Sequence, residues 1–230
     1  MPTALSAGVI PAAGSGERLG ANMPKALVKV GRRTLINRAA TNLSKVVDEI
    51  VVAAPAGYEA EIAKSLRKLR VPVVVVTGGA TRTESVSLAL AHLTSNVRYV
   101  LIHDAARAFA PVSLLRRVLA ALHEGADAVV PALALTDTIK VVDEYGQVKS
   151  TLARESLRAI QTPQGFSREL IERAHSQALA QERVGTDDAA LVEAIGGTVM
   201  VIPGDQRAHK ITIPSDLEGH RMMKRKGVKS

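Results

Sequence analysis

The sequence predicts an α/β fold in which a mainly parallel sheet carries helices on both faces. Two observations lead to this prediction. Short apolar runs rich in Val, Ile and Ala alternate along the chain with segments whose apolar residues recur at helical spacing. Hydrophobic residues make up 47% of the 230 residues and charged residues 23%, which is typical of a globular protein and excludes intrinsic disorder.

Five apolar runs predict strands that are buried on both faces, because they show no alternation with polar residues. These strands are predicted at Ala7–Ile10, Ile50–Ala54, Val73–Thr77, Tyr99–His103 and Ala128–Pro131. A further strand is predicted at Val199–Ile202. Since aromatic residues are only 2% of the chain, the core between strands and helices has to be aliphatic.

Helical spacing of apolar residues predicts the connecting elements. In Val112–Glu124, for example, Leu115, Val118, Leu119 and Leu122 form one stripe suited to packing on a sheet. The other predicted helices are Leu35–Leu43, Tyr58–Leu69, Ser85–Leu93, Ser167–Gln181, one that begins near Thr186-Asp187, and one that begins at Ser215. This alternation specifies parallel strands joined by helical crossovers.

Residues 136–154 break the alternation. A turn sequence at 143–146 is flanked by loosely alternating segments, Thr138–Val142 and Val148–Thr151, which is the pattern of a β-hairpin. Its apolar surface is too small for it to fold alone, so we expect it to pack on a second subunit. With no internal repeat or linker, the sequence predicts a single Rossmann-like α/β domain over residues 1–230, with this hairpin as a protruding arm.

The net charge of +8 is concentrated at one end of the sequence, where residues 219–230 contain five basic and no acidic side chains. Such a run is more typical of a solvated tail than of a nucleic-acid-binding arm. The scarcity of aromatic residues also argues against a surface on which bases stack. We therefore expect no nucleic-acid partner.

The sequence also limits the cellular compartment of the protein and the kinds of site that it can contain. Cysteine is absent, which excludes disulfides, thiolate metal sites and a Cys nucleophile. The stretch before Arg18 has no positive charge, and the longest apolar run, around Val71 to Val76, is far shorter than the roughly 20 residues of a membrane span. We expect a cytoplasmic protein with no signal peptide and no membrane partner.

The segment after the first predicted strand carries the strongest functional signal. Residues 11–20 read PAAGSGERLG and are followed by Pro24-Lys25. Leu19 does not fit a dinucleotide fingerprint, and the Gly-Lys-Ser/Thr of a Walker loop is absent. Small residues let backbone amides wrap a polyanion, and Arg18 and Lys25 add positive charge beside it. This pattern favours a phosphate-binding loop over a plain glycine-rich turn with two solvated cations.

Five ordered motifs give the chain a family resemblance. They are Pro11-Ala12-Ala13-Gly14-x-Gly16-x-Arg18 with Pro24-Lys25, Gly78-Gly79-x-x-Arg82-x-x-Ser85-Val86, His103-Asp104-Ala105-Ala106-Arg107, Thr162-Pro163-Gln164 and Thr186-Asp187-Asp188-Ala189. Together they resemble the 2-C-methyl-D-erythritol 4-phosphate cytidylyltransferases, nucleotidyltransferases of the non-mevalonate isoprenoid pathway, from about Ala7 to Leu217. One departure is Ala80, where some relatives carry Asp after the glycine pair.

The resemblance implies a site for CTP, methylerythritol phosphate and Mg²⁺. The residues that it implies as catalytic are Arg18, Lys25 and Lys210. Those that it implies in nucleotide binding are Pro11, Ala12, Ala13, Gly14, Ser15, Gly16, Gly79, Ser85 and Ala105. Those that it implies in binding methylerythritol phosphate are Asp104, Arg107, Thr138, Arg154 and Thr162. It also implies Asp104 near a metal held mostly by CTP phosphates, and a homodimer in which the hairpin arm brings Thr138 and Arg154 to the neighbouring subunit.

The implied reaction needs no general base, because the attacking phosphate oxygen is already ionised at neutral pH. It needs in-line positioning, and cations for the charge that develops on the phosphoryl oxygens. His103 is therefore interpreted as structural rather than catalytic. Asp187 and Asp188 are interpreted as capping the following helix rather than binding metal. Arg82 is ambiguous and is left outside the predicted site.

Two alternatives stay open at this point. The first is a cytidylyltransferase for another polyol phosphate, such as ribitol 5-phosphate, although Ala12-Ala13 after a proline favours methylerythritol phosphate. The second is a non-enzymatic module that binds nucleotides or nucleic acid with the help of the basic tail.

Overall fold

A central sheet of eight strands organises the protein, whose structure is a computed structural model that describes residues 5–14, 23–213 and 215–216. The strands are β1 (Leu5–Pro11), β2 (Lys29–Val30), β3 (Arg33–Thr34), β4 (Glu49–Ala54), β5 (Val73–Thr77), β6 (Val97–Ile102), β7 (Ala128–Ala134), β8 (Lys140–Val142), β9 (Val148–Thr151), β10 (Arg158–Ile160), β11 (Gln164–Ser167) and β12 (Met200–Pro203). The helices are α1 (Leu35–Leu43), α2 (Glu59–Leu66), α3 (Arg82–Leu90), α4 (Val112–His123), α5 (Arg168–Ala180) and α6 (Asp188–Ala194).

The strand order of the central sheet is β10-β7-β11-β6-β1-β4-β5, and β12 pairs with β7 as well. β1 is parallel to β4 and β6, β4 is parallel to β5, and β7 is parallel to β12. The antiparallel pairs of this sheet involve β10 and β11. Parallel strands bring their carboxyl ends to one edge, which is where open α/β sheets bind ligands.

Helices cover both faces of the sheet. Buried side chains of α1, α2 and α4 pack with Ile10 and Val52 in one core cluster. Buried side chains of α3, α5 and α6 pack with Val9 and Val51, the neighbouring strand positions, in a second cluster. Because successive side chains of a strand point to opposite faces, the two clusters lie on opposite sides of the sheet. The predicted α/β fold, a mainly parallel sheet with helices on both faces, is confirmed.

β5 corrects one prediction. Its run of four valines was predicted to be buried on both faces, but β5 lies at the edge of the sheet and pairs, within the described chain, with β4 alone. Val74 is 43% exposed. Apolar composition alone does not distinguish an edge strand from a central one, since a helix-covered edge strand still needs apolar residues to pack against that helix.

β10 and β11 were not predicted, nor was the small hairpin of β2 and β3. β10 and β11 run antiparallel to successive parts of β7, 132–134 and 128–129, on either side of residues 161–163. Strands this short, with a proline beside them, have too few apolar residues for a strand pattern to be recognised in the sequence. The break between them places Thr162 against the end of β6, where its hydroxyl oxygen accepts a hydrogen bond from the Asp104 amide at 3.0 Å.

The predicted hairpin arm is formed by β8 and β9, which pair antiparallel in a sheet of their own. The Asp143 carboxylate shapes the turn by accepting hydrogen bonds from the amides of Tyr145 (3.1 Å) and Gln147 (2.8 Å). Gly146 has a φ of +78°, a conformation that glycine adopts without strain. The arm leaves large apolar side chains exposed, with Tyr145 at 81% and Val148 at 58%.

The remaining predicted strands and helices agree with the structure to within three residues at each end. The cap predicted near Thr186-Asp187 is also present, since the Asp187 carboxylate accepts from the amide of Ala190 at the start of α6. The helix predicted from Ser215 and the basic tail lie almost wholly outside the described residues. In the part of the chain that is described, no helix has the length and apolar character to cross a bilayer.

His103 follows β6 and is completely buried, in agreement with its structural interpretation. Its Nδ1 lies 2.9 Å from the Thr162 hydroxyl. Burial disfavours the charged imidazolium and lowers the pKa of His103 from 6.5 to about 4, against the opposing influence of the nearby Asp104 carboxylate. At neutral pH, therefore, His103 is an uncharged side chain that fixes the end of β6.

The lowered pKa of His103 predicts an acid-sensitive free energy of unfolding. Between pH 6.5 and about 4 the unfolded chain binds a proton at His103 that the folded chain does not, so stability falls as the pH falls through this interval. The loss attributable to His103 is about 3 kcal/mol at pH 4 and vanishes above pH 7. Denaturant unfolding of wild type and His103→Gln at pH 7 and pH 4.5 measures it. The variant should lose much less stability on acidification, and an equal loss in both proteins would contradict the assignment.

Candidate active site

Two adjoining pockets open at the carboxyl ends of the central parallel strands. The first has a volume of about 250 Å³ and is lined by residues 11–14 after β1, 79–82 before and in α3, and 104–106 after β6. Lys25, Ala26, Ser85 and Lys210 complete its wall. The second, of about 180 Å³, lies on the side of the β10–β11 break. This is the edge of the sheet at which an α/β fold is expected to bind a ligand.

The loop after β1 forms one wall of the first pocket as far as Gly14. The Ala12 amide donates to the carbonyl of Ala53 at 2.8 Å, which extends the pairing of β1 with β4 into the loop. The chain returns to the loop at Lys25, whose amide donates to the Gly14 carbonyl at 3.3 Å. Lys25 thus lines the pocket beside the small residues. Ser15, Gly16 and Arg18 lie outside the described residues.

The glycine pair before α3 forms the opposite wall. A Cβ atom at Gly78 would come within 2.9 Å of the Ala13 Cβ and of the Ser85 hydroxyl, so only glycine allows this close packing. The Gly79 amide donates to Ser85 Oγ at 3.1 Å. The amide of Ala80 donates to the Glu84 carboxylate at 2.8 Å. The replacement of a relative's Asp by Ala80 therefore leaves a backbone contact in place at this wall.

Asp104 is the buried carboxylate between the two pockets, with 8% of its surface exposed. Its Oδ2 accepts from Lys210 Nζ at 2.8 Å, and its Oδ1 lies 3.4 Å from Nη2 of Arg82. Burial alone would raise the pKa of Asp104. The charges of Arg82, Lys210 and Arg107, with the hydrogen bond from Lys210, outweigh burial and hold the pKa of Asp104 well below its usual range. Asp104 is therefore ionised at any physiological pH.

Lys210 reaches Asp104 because its segment is fastened to the loop after β6. The Ile211 amide donates to the Ala106 carbonyl at 3.0 Å. The Arg107 guanidinium donates to the carbonyl of Ala208 at 2.7 Å and to that of Ile160 at 3.1 Å. Arg107 lines the second pocket, but these hydrogen bonds give it the additional role of holding the Lys210 segment against β10.

Arg82 is the main charged pocket residue that the predicted site left out. It is the first residue of α3, lines both pockets, and contacts the carboxylates of Asp104 and Asp188. Its place in the second motif was the available signal. A single cation in a motif does not reveal whether it faces solvent or a pocket, because that depends on how α3 and α6 pack together.

The second pocket shares Arg82, Asp104 and Lys210 with the first. Its other wall includes Arg107 and Thr162, which the family resemblance had implied in substrate binding. Five further lining residues were not predicted as part of a site, namely Ile160, Gln161, Gln164, Thr186 and Asp187. The Asp187 carboxylate accepts from Gln164 Nε2 at 2.7 Å, so the cap of α6 also forms part of this wall.

Two predicted residues lie away from both pockets of their own chain. Thr138 and Arg154 are exposed residues at the base of the hairpin arm. Arg154 donates to the carbonyl of Thr136 at 2.8 Å and lies 3.7 Å from the Glu155 carboxylate. The other predicted residues that the structure describes line one pocket or the other: Pro11, Ala12, Ala13, Gly14, Lys25, Gly79, Ser85, Asp104, Ala105, Arg107, Thr162 and Lys210.

The side chains available as metal ligands limit how the protein could bind a divalent cation. Among the described residues there is no group of three or more His, Asp or Glu side chains arranged to bind a metal. Asp104 is the pocket carboxylate nearest the cations, and it is already paired with Lys210. Mg²⁺ commonly binds through one or two carboxylates together with substrate phosphates and water. The residues present fit a metal held chiefly by a nucleotide, with Asp104 as its protein neighbour.

Known proteins resemble this chain along nearly its whole length. The family model for IspD, 2-C-methyl-D-erythritol 4-phosphate cytidylyltransferase, matches residues 7–224. Enzymes of that name from Saccharopolyspora erythraea and Rhodococcus jostii are 50% and 47% identical to it, over 91% and 96% of this chain and 94% and 95% of theirs.

Solved structures agree with the sequence comparisons. A 4-diphosphocytidyl-2C-methyl-D-erythritol synthase from Anaerococcus prevotii superposes with a TM-score of 0.85 at 31% identity, covering 96% of both chains. A 2-C-methyl-D-erythritol 4-phosphate cytidylyltransferase from Thermus thermophilus gives 0.79 at 34% identity, covering 96% of this chain and 98% of the other. With its motifs gathered around two adjoining pockets and its fold shared with these enzymes, the chain belongs to the 2-C-methyl-D-erythritol 4-phosphate cytidylyltransferase family of nucleotidyltransferases.

Proposed function

We propose that this chain transfers CMP from CTP to 2-C-methyl-D-erythritol 4-phosphate and releases pyrophosphate. The observation that carries the proposal is the pair of adjoining pockets with a shared charged wall, Arg82, Asp104 and Lys210. Two anionic substrates that react through their phosphates need two pockets that meet at a cationic junction. Among the pocket residues that the structure describes, no feature favours ribitol 5-phosphate or nucleic acid as a substrate.

The first pocket is suited to the nucleotide. Its small residues, Ala12 to Gly14 and Gly79, allow a base and its phosphates to approach the backbone closely. Lys25 supplies a positive charge at the same wall. In the sequence, Arg18 lies in the segment between Gly14 and Lys25. The second pocket, with Arg107 and Thr162, is suited to the polyol phosphate.

The transfer itself is a displacement at the α-phosphorus of CTP. An oxygen of the substrate phosphate forms a new P–O bond to the α-phosphorus, and the bond from the α-phosphorus to the oxygen that bridges to the β-phosphorus breaks. Pyrophosphate leaves with that electron pair, so no proton has to move. The protein's task is to align the two phosphates and to neutralise the charge that develops, for which Arg18, Lys25 and Lys210 are the candidate cations.

A divalent cation fits this reaction, and we propose Mg²⁺. When bound to the CTP phosphates it would neutralise charge on their oxygens and help to orient them. Asp104, the carboxylate that lines both pockets, is the residue that would lie nearest to it.

We also propose a homodimer in which the hairpin arm completes the partner's site. The arm exposes apolar side chains, Val142 at 54%, Tyr145 at 81% and Val148 at 58%, which supports its burial against another chain. Thr138 and Arg154 lie at its base, away from the pockets of their own chain. An arginine carried to a neighbouring pocket would add a bidentate contact for a phosphate.

The proposed reaction is tested by measuring pyrophosphate release with a panel of substrates. CTP with methylerythritol phosphate should give the highest kcat/KM, and ribitol 5-phosphate should give a rate lower by at least about tenfold. UTP should replace CTP poorly, because the exocyclic amine of cytosine donates where uracil has an acceptor. A higher kcat/KM with another polyol phosphate, or equal values for CTP and UTP, would contradict the proposal.

The candidate cations are tested by alanine substitution. Arg18→Ala, Lys25→Ala and Lys210→Ala should each lower kcat by about two to three orders of magnitude, because each removes a charge that the transition state uses. Lys29→Ala is the matched control, since Lys29 is exposed on β2 and lies outside both pockets. Its kcat should stay within about twofold of wild type. Near-normal kcat in the Lys25 and Lys210 variants would show that these two cations do not stabilise the transition state.

The shared site is tested with mixed dimers of Lys25→Ala and Arg154→Ala. Each variant alone should be nearly inactive, since every site lacks one of the two cations. Random re-association of equal amounts makes about half of the dimers mixed, and each mixed dimer has one intact site, so activity should recover to roughly a quarter of wild type. A mass tag on one variant verifies the exchange. Verified exchange with no recovery would show that Arg154 does not act in the partner's site.

A further inference from the structure

Asp188 is a buried carboxylate whose environment differs from that of its neighbour. Asp187 caps α6, whereas Asp188 is completely buried and uses its side chain elsewhere. Its Oδ2 accepts from Nη2 of Arg82 at 2.7 Å, and its Oδ1 accepts from Nε2 of His175 at 3.1 Å. The interpretation of both aspartates as helix caps is therefore wrong for Asp188. An ionised carboxylate removed from water needs such partners to remain charged.

The two side chains of the Asp188–Arg82 ion pair differ in their exposure to solvent. The Asp188 side chain is 0% exposed, while the Arg82 side chain is 27% exposed and lines both pockets. Asp188 thus lies behind Arg82, on the side away from the pockets. A carboxylate in this place fixes the guanidinium without competing with a ligand for it.

Arg82 also lies closer to Asp188 than to Asp104, the carboxylate on the pocket side. Its Nη2 lies 2.7 Å from Asp188 but 3.4 Å from Asp104. Nε is likewise 3.4 Å from Asp104, and no residue in the described ranges accepts from Nη1. The guanidinium therefore keeps donor capacity on the pocket side, where a phosphate can bind it.

His175 completes the support for Asp188. It lies on α5, is buried, and donates through Nε2, which requires the tautomer with a hydrogen on that nitrogen. The Asp188 amide in turn donates to the side-chain oxygen of Gln164 at 3.1 Å. Contacts from α3 and α5 therefore orient the Asp188 carboxylate, while β11 holds its backbone.

We propose that Asp188 is a positioning residue of the active site, which acts by holding the Arg82 guanidinium at the junction of the two pockets. Arg82 there binds the phosphates of the nucleotide and keeps Asp104 in place. The assignment rests on the proposed function for the identity of the nucleotide. Its test uses CTP binding as well as turnover, so that the two can fail separately.

The test is a double-mutant cycle between Asp188 and Arg82. Asp188→Asn keeps the shape of the side chain and removes its charge, and Arg82→Gln removes the guanidinium. Each single variant should weaken CTP binding, measured by calorimetry, by about tenfold and lower kcat/KM by ten- to a hundredfold. The double variant should be no worse than Arg82→Gln alone, because Asp188 acts through Arg82. Independent losses that multiply in the double variant would overturn the assignment.

A general loss of stability is separated from positioning by a control. Ile62→Val removes one buried methyl group from α2, on the far side of the sheet from α3 and α6, and should lower stability without changing CTP affinity or kcat. All rates are divided by the folded fraction from denaturant unfolding. If Asp188→Asn behaves like Ile62→Val, with CTP affinity and kcat/KM within twofold of wild type, Asp188 is only structural and the assignment is wrong.

The same measurements keep this assignment distinct from the proposed function. Wild-type protein that binds CTP but releases no pyrophosphate with methylerythritol phosphate would refute the proposed acceptor, while the binding cycle would still decide the role of Asp188. Wild-type protein that does not bind CTP would refute both.

Discussion

The buried carboxylate of Asp104 is the point on which the active-site end of this fold depends. A carboxylate with 8% of its surface exposed is costly unless cations and hydrogen-bond donors surround it. Lys210 approaches it at 2.8 Å and Arg82 at 3.4 Å, from two segments that are distant in sequence. The Asp104 amide is held by the Thr162 hydroxyl at the β10–β11 break. One residue thereby joins the end of β6, the start of α3, the Lys210 segment and the unpredicted antiparallel strands.

The contacts around Asp104 also explain the electrostatic character of the site. Two cations of the junction, Arg82 and Lys210, are paired with the carboxylates of Asp104 and Asp188. Phosphates that enter such a site meet donors already oriented by their carboxylate partners, which reduces the reorganisation that binding requires. Arg107 contributes in a different way, because its hydrogen bonds to Ala208 and Ile160 hold the segment that carries Lys210.

The sequence predicts the elements that have strong local patterns and misses those defined by tertiary contacts. α1 begins and ends where helical spacing predicts, because Thr34 caps it and its apolar residues recur on one face. β5 was correctly placed along the chain but wrongly expected in the interior, since four valines carry no information about which strand pairs with them. β10 and β11 are too short to show a period.

The same division applies to the site. The motif residues that meet in the pockets were recognisable by their order along the chain, including Lys25, Ser85 and Asp104, whereas Lys210 lies in no motif and was implied by the resemblance alone. The pairing of Arg82 with Asp188 was not recognisable, because an arginine and an aspartate that are 106 positions apart become partners only when the fold brings the starts of α3 and α6 together. The role that we propose for the hairpin arm involves a second subunit, so it cannot be deduced from the contacts of a single chain.

The most direct measurement of the account is the kcat/KM of Asp104→Asn for methylerythritol phosphate at saturating CTP. The substitution keeps the size of the side chain and removes the charge that Lys210 and Arg82 share. If Asp104 organises the junction of the two pockets, kcat/KM falls at least about a hundredfold in protein that remains folded by circular dichroism. A folded variant with kcat/KM within about twofold of wild type would contradict the central place given to this carboxylate.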